Sequence, residues 1–321
     1  MPTDADPIAR PNGPAGCGRV LVTGAAGFLA GHVAAVLRAR GHDVTTTDKR
    51  GMVDVAGDLA DPAFTAGLPA ADAVVHAAGV QYVSPDLPFF NRRAWFHRNN
   101  VVATRNLVER YRNRATHFVY VSTSMTYAQD GRECGPAVPR EAQGAYSASK
   151  LAAEALVVAH MPGSAVVVPC IIAGRGREGL FVPFVRSMRR WGIAVVPGQG
   201  RNKVSLVHVS DVADLVAVAV SRQASGVFNA AALDVLSLRE WVDEIERALG
   251  LDGVSRVSIP YGVASVLARG SLYRLLAREQ LLMLRHDHVL SLDASAKLGW
   301  TPRWSNRAIV RETALALAGA P

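Results

Sequence analysis

The sequence predicts an α/β fold, a doubly wound parallel sheet with a smaller C-terminal lobe. Three observations carry this. From residue 19 to about residue 170, short apolar runs alternate with longer segments of helical period, the pattern of successive strand–helix–strand units. The first run, Arg19-Val20-Leu21-Val22, leads directly into a glycine-rich turn and a helical pattern. After Pro169 the alternation gives way to Gly- and Arg-rich loops around separate amphipathic segments.

The chain has 321 residues and is 50% hydrophobic, enough to bury a large core. No apolar run reaches the roughly 18 residues of a membrane span. Residues 1–17 are rich in Pro, Asp and Gly and lack a basic segment followed by an apolar one, so they read as a disordered tail and not a secretory leader. Three cysteines (Cys17, Cys134 and Cys170) without metal-binding spacing suit a reducing compartment, and a cytoplasmic location is expected. The net charge of +8 is dispersed, mostly as single arginines and pairs such as Arg92-Arg93. With no block of like charge and no interleaved aromatics, nucleic acid is not an expected partner. A small-molecule substrate is.

Taken in order, Thr23-Gly24-Ala25-Ala26-Gly27-Phe28-Leu29 links the first strand to a helix. Glycines there let a backbone approach a pyrophosphate, and the helix N-terminus offers free amides, which makes the first body a Rossmann-type domain. The second strand, Asp43 to Thr47, ends at Asp48, 24 residues after Gly24. A carboxylate at that place bonds ribose hydroxyls and disfavours a 2′-phosphate, so NAD is the expected cofactor. Lys49 and Arg50 beside it leave NADP open. Gly57-Asp58-Leu59 follows, then a strand running from Ala73 into His76-Ala77-Ala78-Gly79, whose small residues let a cofactor lie against the backbone. A helix is expected from about Asn99 to Arg112, and a strand over Phe118–Val121 that runs into Ser122-Thr123-Ser124. Hydroxyls at that end of a parallel strand face the ligand crevice.

Tyr146 and Lys150 stand four apart at the start of an apolar-periodic helix, hence on one face. A neighbouring ammonium favours phenolate and lowers a tyrosine pKa from about 10, which suits proton exchange with an alcohol or ketone. Ala165–Val168 forms the next strand. Beyond it the sequence predicts a helix from Leu180 to Trp191, a strand over Val204–Val209, a helix over Asp211–Ser221 and a short strand at Val227-Phe228-Asn229. A helix from Ser237 to Leu249 carries a capping box at Glu240. A mostly helical apolar stretch follows from Pro260 to Leu284, and a last helix begins near Ser305. Residues 18–173 are assigned to the NAD-binding domain and 174–321 mainly to a substrate-binding lobe, with 204–250 returning to the first body.

Together these residues resemble the extended short-chain dehydrogenase/reductase family, of the NAD-dependent epimerase/dehydratase type. The matching motifs are Thr-Gly-x-x-Gly at 23–27, Asp48, Gly57-Asp58-Leu59, His76-Ala77-Ala78-Gly79 and Asn100-Val101-x-x-Thr104-x-Asn106-Leu107. They continue with Ser122-Thr123-Ser124 ahead of Tyr127, Tyr146-x-x-x-Lys150, Val207-His208-Val209-x-Asp211 and Leu298-Gly299-Trp300-x-Pro302. Ala30 replaces the usual third glycine. The resemblance implies Tyr146 as acid/base, Lys150 lowering its pKa and holding the nicotinamide ribose, Thr123 bonding the reacting oxygen, and Asn100 near the site. It implies cofactor contacts from Gly24, Ala26, Gly27, Phe28, Leu29, Asp48, Lys49, Asp58, Leu59, His76, Ala77, Ala78, Pro169 and Ile171, and substrate contacts from Ser124 and Met125.

Dehydratases and decarboxylases of nucleotide sugars have an acid where Met125 stands. Nucleotide-sugar enzymes commonly have an asparagine where Ile171 stands. The run from Ile259-Pro260-Tyr261 through Leu284-Arg285-His286-Asp287-His288-Val289 to Trp300 is similar to the 3β-hydroxysteroid dehydrogenase-like branch. Apolar helices there suit an apolar substrate, a core or a dimer face, and a homodimer is expected. His286 and His288 lack a carboxylate cluster, so no metal is expected. The expected activity is NAD(P)-dependent hydride transfer between nicotinamide and a secondary alcohol or ketone. A nucleotide-sugar 4-epimerase or 4-ketoreductase is the alternative, and a non-catalytic NAD-binding protein a third reading.

Overall fold

The computed structural model describes residues 18–319, apart from 83, 85, 136–137, 178–180, 271–277 and 284. The expected tail, and parts of the expected helices at 180 and 260–284, lie outside the described residues.

Seven strands form one parallel sheet. In chain order they are β1 (Arg19–Thr23), β2 (Asp43–Asp48), β3 (Val55–Ala56), β4 (Ala73–His76), β5 (His117–Val121), β6 (Ala165–Pro169) and, later, β11 (Gly226–Ala230). Their order across the sheet is β11-β6-β5-β4-β1-β2-β3. The chain leaves β1 in one direction to reach β2 and β3, then returns to place β4 on the other side. Right-handed crossovers to either side put helices on both faces, and the order reverses between β1 and β4, where a crevice opens at the carboxyl ends. Helix α1 (Phe28–Ala39) packs on α7 (Val209–Ser221), and α4 (Ala103–Tyr111) packs on α5 (Ala145–His160) and α2 (Pro62–Ala66).

The central strands are buried on both faces, so they read as continuous apolar runs. Val20, Leu21 and Val22 are at most 2% exposed, each contributing about 1.5–3 kcal/mol of burial. Helix α1 buries Leu29, Ala30, Val33, Ala34 and Leu37, a stripe of helical period. Ala30, in place of a glycine, lies in that stripe.

A helix begins earlier than expected. Residues Arg92–Phe96 form α3, which passes through a π-helical turn at His97–Val102 into α4. Such wide turns often occur at functional sites. Here both Asn99 and Asn100 are buried.

A second apolar cluster lies beyond the sheet. Phe181 stacks on Trp241, with ring centroids 5.2 Å apart, among Val185, Met188, Val196, Leu206, Val242, Ile245, Met283, Ile309 and Val310. These residues come from α6 (Val182–Trp191), β8 (Ile193–Pro197), β10 (Leu206–His208), α8 (Leu238–Leu249), α10 (Arg278–Met283) and α12 (Asn306–Ala318). Strand β10 pairs in parallel with β7 (Ile171–Ala173), which follows β6 directly. The expected return of 204–250 to the first body therefore divides. Helix α7 and strand β11 join the large core, whereas α8 packs in the second cluster because its apolar face carries Leu238, Trp241, Val242 and Ile245. Its capping box is present, with the Ser237 N–H donating to Glu240 at 2.7 Å. The expected strand at 204–209 is broken into β9 (Lys203–Val204) and β10, and α7 already starts at Val209. Among the described residues no helix is long and apolar enough to cross a membrane.

Candidate active site

A cavity of about 720 Å³ opens where the strand order reverses. One end is built by the glycine-rich turn. Gly24 has φ +75°, and a Cβ on it would come within 2.6 Å of the Ala78 Cα. Only glycine permits the ends of β1 and β4 to meet so closely. The Gly24 amide donates to Thr47 O at 2.9 Å, tying the turn to β2. Gly27 caps α1 without a side chain, so the first amides of that helix are left for a ligand. This cradle fits a dinucleotide.

Asp48 accepts from the Ala26 amide at 3.2 Å and the Lys49 amide at 2.6 Å. The Lys49 ammonium reaches Asn99 Oδ1 at 2.6 Å and Asp58 at 3.2 Å. Arg98 holds the other Asp58 oxygen at 2.7 Å. Burial works against the Asp58 charge, but the Ala60 amide, Arg98 and Lys49 keep its carboxyl below the usual range.

Gly24, Gly27, Phe28, Leu29, Asp48, Lys49, Asp58, Leu59, Ala77, Ala78, Thr123, Ser124, Met125, Tyr146, Lys150, Pro169 and Ile171 all line the cavity. Three expected residues do not. Ala26 contributes its amide to Asp48 within the turn. His76, expected against the cofactor, is fully buried. Its Nδ1 lies 2.8 Å from Thr23 Oγ1 and its Nε2 lies 2.8 Å from Thr104 Oγ1. Thr104 donates its own proton to Asn100 O, so it accepts from Nε2–H, and Nδ1 accepts from Thr23. Burial, aided by Lys150, lowers the His76 pKa to about 3. The ring is a neutral brace between β1, β4 and the 92–111 helix. Asn100, expected near the site, lies just behind its wall: a Cβ on Gly79 would be 3.4 Å from its Oδ1 and 3.7 Å from Lys150 Nζ, and its amide holds the Val80 backbone at both ends and donates to Ser149 at 2.8 Å. The π-helical turn brings its neighbour Asn99 to the cavity instead.

At the other end Tyr146 projects from the first turn of α5. Burial pushes its pKa up to about 12; Arg177 and the Thr123 hydroxyl oppose this and Glu279 adds to it. Lys150 is not among the groups that set this shift. Lys150 Nζ donates to Val121 O at 2.7 Å and lies 4.3 Å from the Tyr120 ring centroid. Burial lowers its own pKa to about 7, against the pull of Glu154. The four-residue spacing places both side chains on the cavity, and burial is the largest influence on each.

Several neighbours were not expected at the site. Tyr82 lines the cavity, packs edge-on to Tyr146 at 5.9 Å, and donates to Glu279 at 3.0 Å. Glu279 is buried and also accepts from the Ser147 amide, in the first turn of α5, at 3.3 Å. A Cβ on Gly144 would fall 2.4 Å from its carboxylate, so that glycine makes room for it. His288, buried and with a pKa lowered to about 4, bonds Ser124 Oγ at 2.7 Å from behind the wall. Phe181, Phe184, Val204 and Met283 join Met125 and Ile171 to make an apolar wall, and Arg177 stands at its edge. Met125 and Ile171 were expected contacts and His288 stood in the C-terminal run; the others come from segments far apart in the chain, so no local motif marks them.

Fold and site together define a dinucleotide-dependent enzyme of the doubly wound class. Residues 20–231 match the NAD dependent epimerase/dehydratase family, and the chain belongs to that family. It is 30% identical over 272 residues to the 2-alkyl-3-oxoalkanoate reductase of Stenotrophomonas maltophilia (strain K279a), covering 74% of this chain and 78% of the relative. Its fold is similar to RMD from Pseudomonas aeruginosa complexed with NADPH, with TM-score 0.71, 21% identity, and coverage of 94% of this chain and 99% of that one. It is likewise similar to the UDP-glucose 4-epimerase of Thermus thermophilus in complex with NAD, with TM-score 0.72, 20% identity, and coverage of 94% and 100%.

Proposed function

We propose that this protein is an NAD(P)-dependent reductase of an apolar ketone, with Tyr146 as the proton donor. The observation that carries the reading is that Tyr146, Thr123 and Lys150 share one cavity with an apolar wall of Met125, Ile171, Phe181, Phe184, Val204 and Met283. That wall suits a hydrocarbon chain better than a sugar diphosphate, and the name of the Stenotrophomonas relative describes an oxoalkanoate reductase. It agrees with a place in the 3β-hydroxysteroid dehydrogenase-like branch. A homodimer in the cytoplasm, with the second cluster as the substrate lobe, completes the reading.

The bound nicotinamide supplies the hydride for ketone reduction and accepts it in alcohol oxidation. In the balance, ketone, reduced dinucleotide and one proton give alcohol and oxidised dinucleotide. Thr123 holds the carbonyl oxygen and Tyr146 gives it the proton. With a pKa near 12, Tyr146 is a neutral phenol at pH 7 and is poised to donate. The phenol form that reduction uses is present at neutral pH, and the rate of oxidation rises as the pH climbs toward that pKa. Lys150, near half-protonated at pH 7, replenishes the proton. Asp48 favours NAD, because the neighbouring cations are engaged: Lys49 by Asp58 and Asn99, and Arg50 by Asp86 at 3.6 Å.

The test follows NADH and NADPH absorbance with apolar ketones, their alcohols and nucleotide sugars, using wild type and Tyr146→Phe. Loss of about 10²–10⁴-fold in kcat with nearly unchanged KM is expected for the variant. Isomerisation of a nucleotide sugar without net absorbance change would replace this reading with the 4-epimerase one. Equal activity in Tyr146→Phe would remove the acid/base role.

A further inference from the structure

Four cations line the cavity: Lys49, Arg50, Lys150 and Arg177. Three have acceptors. Lys49 meets Asp58, Arg50 meets Asp86, and Lys150 donates to Val121 O. The half-buried Arg177 guanidinium has no carboxylate, carbonyl or hydroxyl partner among the described residues. Its described side-chain contact is with the Phe28 ring, whose centroid lies 5.7 Å away. The cavity's own carboxylates, Asp48, Asp58 and Asp86, belong to the opposite end and are already bonded.

A guanidinium turned into a largely apolar cavity, with no counter-charge among the described residues, is unfavourable, and an incoming anion relieves that cost. Arg177 lies between Phe28, at the start of α1, and the Tyr146 phenol. From there it acts on Tyr146, favouring the ionised form, while burial lowers its own pKa. Its planar fork of donors matches a carboxylate in a bidentate pair. A dinucleotide pyrophosphate has its own donors in the turn at 24–28.

We propose that Arg177 holds the carboxylate of the substrate, and that the substrate class is an oxo acid with an apolar chain. The carbonyl then sits at Tyr146 and Thr123, the carboxylate at Arg177, and the chain along Met125, Phe181 and Phe184. This deepens the reductase reading and rests on it for the position of the carbonyl. The anion site itself stands on the cavity and the unmatched guanidinium.

The test separates the two. NADH-loaded full-length protein is titrated with octanoate and with octanamide, non-reacting probes alike except for charge, and NADH fluorescence is followed. Wild type is expected to bind octanoate at least ~10-fold more tightly than octanamide, as for a charged hydrogen bond of about 1.5–3 kcal/mol. Arg177→Gln abolishes that discrimination, and Arg177→Lys retains only part of it because it lacks the fork. Affinity for NADH is equal in wild type and Arg177→Gln, and thermal unfolding shows both folded. In turnover, Arg177→Gln raises the KM for 3-hydroxydecanoate while the KM for its methyl ester stays the same. Wild-type protein that fails to distinguish octanoate from octanamide overturns the proposal whatever the activity. A weakened affinity for NADH in Arg177→Gln also overturns it, since the anion is then the pyrophosphate. If discrimination holds and no hydroxy acid is oxidised, the anion site stands and the reductase reading fails.

Discussion

At the end of the cavity bounded by Gly24, Asp48 and Asp58, the walls are charged and each charge has a named partner. At the end bounded by Tyr146, Phe181 and Phe184 the walls are apolar, and the two cations, Lys150 and Arg177, have pKa values lowered by burial. The first end is assembled largely by backbone: amides of the turn, a strand end, a left-handed glycine. The second is assembled from side chains of β5, α5, α6, α10 and the loop after β7. A backbone-built site tolerates no change of shape. A site built from side chains can change its ligand while the sheet stays the same.

The largest expected effect strikes the backbone-built end. Gly24→Ala places a side chain in the left-handed region, costing about 1–2 kcal/mol. Its Cβ also lies 2.6 Å from the Ala78 Cα and 2.7 Å from the Ala78 N, so the end of β4 must move. We expect dinucleotide affinity to fall by at least ~100-fold, roughly 3 kcal/mol, as read by NADH fluorescence. Gly250→Ala is the control. It shares a positive φ of +59° but meets nothing within 4 Å. It should cost only the conformational strain, about 1 kcal/mol in thermal unfolding. Equal losses in both variants would mean that close approach at Ala78 is unimportant.

This contrast explains what the sequence could disclose. Gly24, Gly27, Asp48 and Asp58 lie in short contiguous motifs because the backbone path itself makes the site. Tyr146 and Lys150 were legible for the same reason, being neighbours on one helix face. Their electrostatics were not: spacing on a helix gives proximity, but the pKa depends on burial by segments that local pattern does not place. His76 shows the converse. It stands in a motif of the family, yet it is a structural brace, with both ring nitrogens bonded inside the protein; Asn100 stays near the site but braces it through Val80 and Ser149. Arg177, Tyr82, Glu279 and Phe184 were unreadable because tertiary packing selects them; nothing local distinguishes Arg177 from Arg175. The division at α8 has the same origin, since an amphipathic pattern tells that a face is buried and not against which neighbour.

A smaller effect is expected at Asp48. Asp48→Ser removes the carboxylate proposed to meet the ribose hydroxyls and frees the Ala26 and Lys49 amides. We expect the ratio of NADH to NADPH affinity to fall by about tenfold, roughly 1.4 kcal/mol, through weaker NADH binding and relief of repulsion toward a 2′-phosphate. Turnover with saturating cofactor should hardly change, because the substitution lies at the end remote from Tyr146. A ratio that stays fixed would show that Lys49 and Arg50, already paired with Asp58 and Asp86, set the preference instead.

The subtlest test lies at the apolar end, where two charges bear on Tyr146 with opposite sign. Glu279 raises its pKa and Arg177 lowers it. A phenol must ionise before it can take a proton from an alcohol, so the rise of oxidation rate with pH tracks this pKa. Removing the carboxylate by Glu279→Gln relieves repulsion of the phenolate and should shift that rise to lower pH. Removing the guanidinium by Arg177→Gln withdraws attraction and should shift it to higher pH. An uncharged alcohol serves as substrate, so that the carboxylate site does not enter the measurement. Glutamine keeps an acceptor for the Tyr82 hydroxyl and the Ser147 amide, so the start of α5 stays in place while the charge is lost. Opposite displacements identify Tyr146 as the group being titrated. Displacements of the same sign, or none, would mean that another group governs the profile, and Lys150, with a pKa near 7, would be the first to examine.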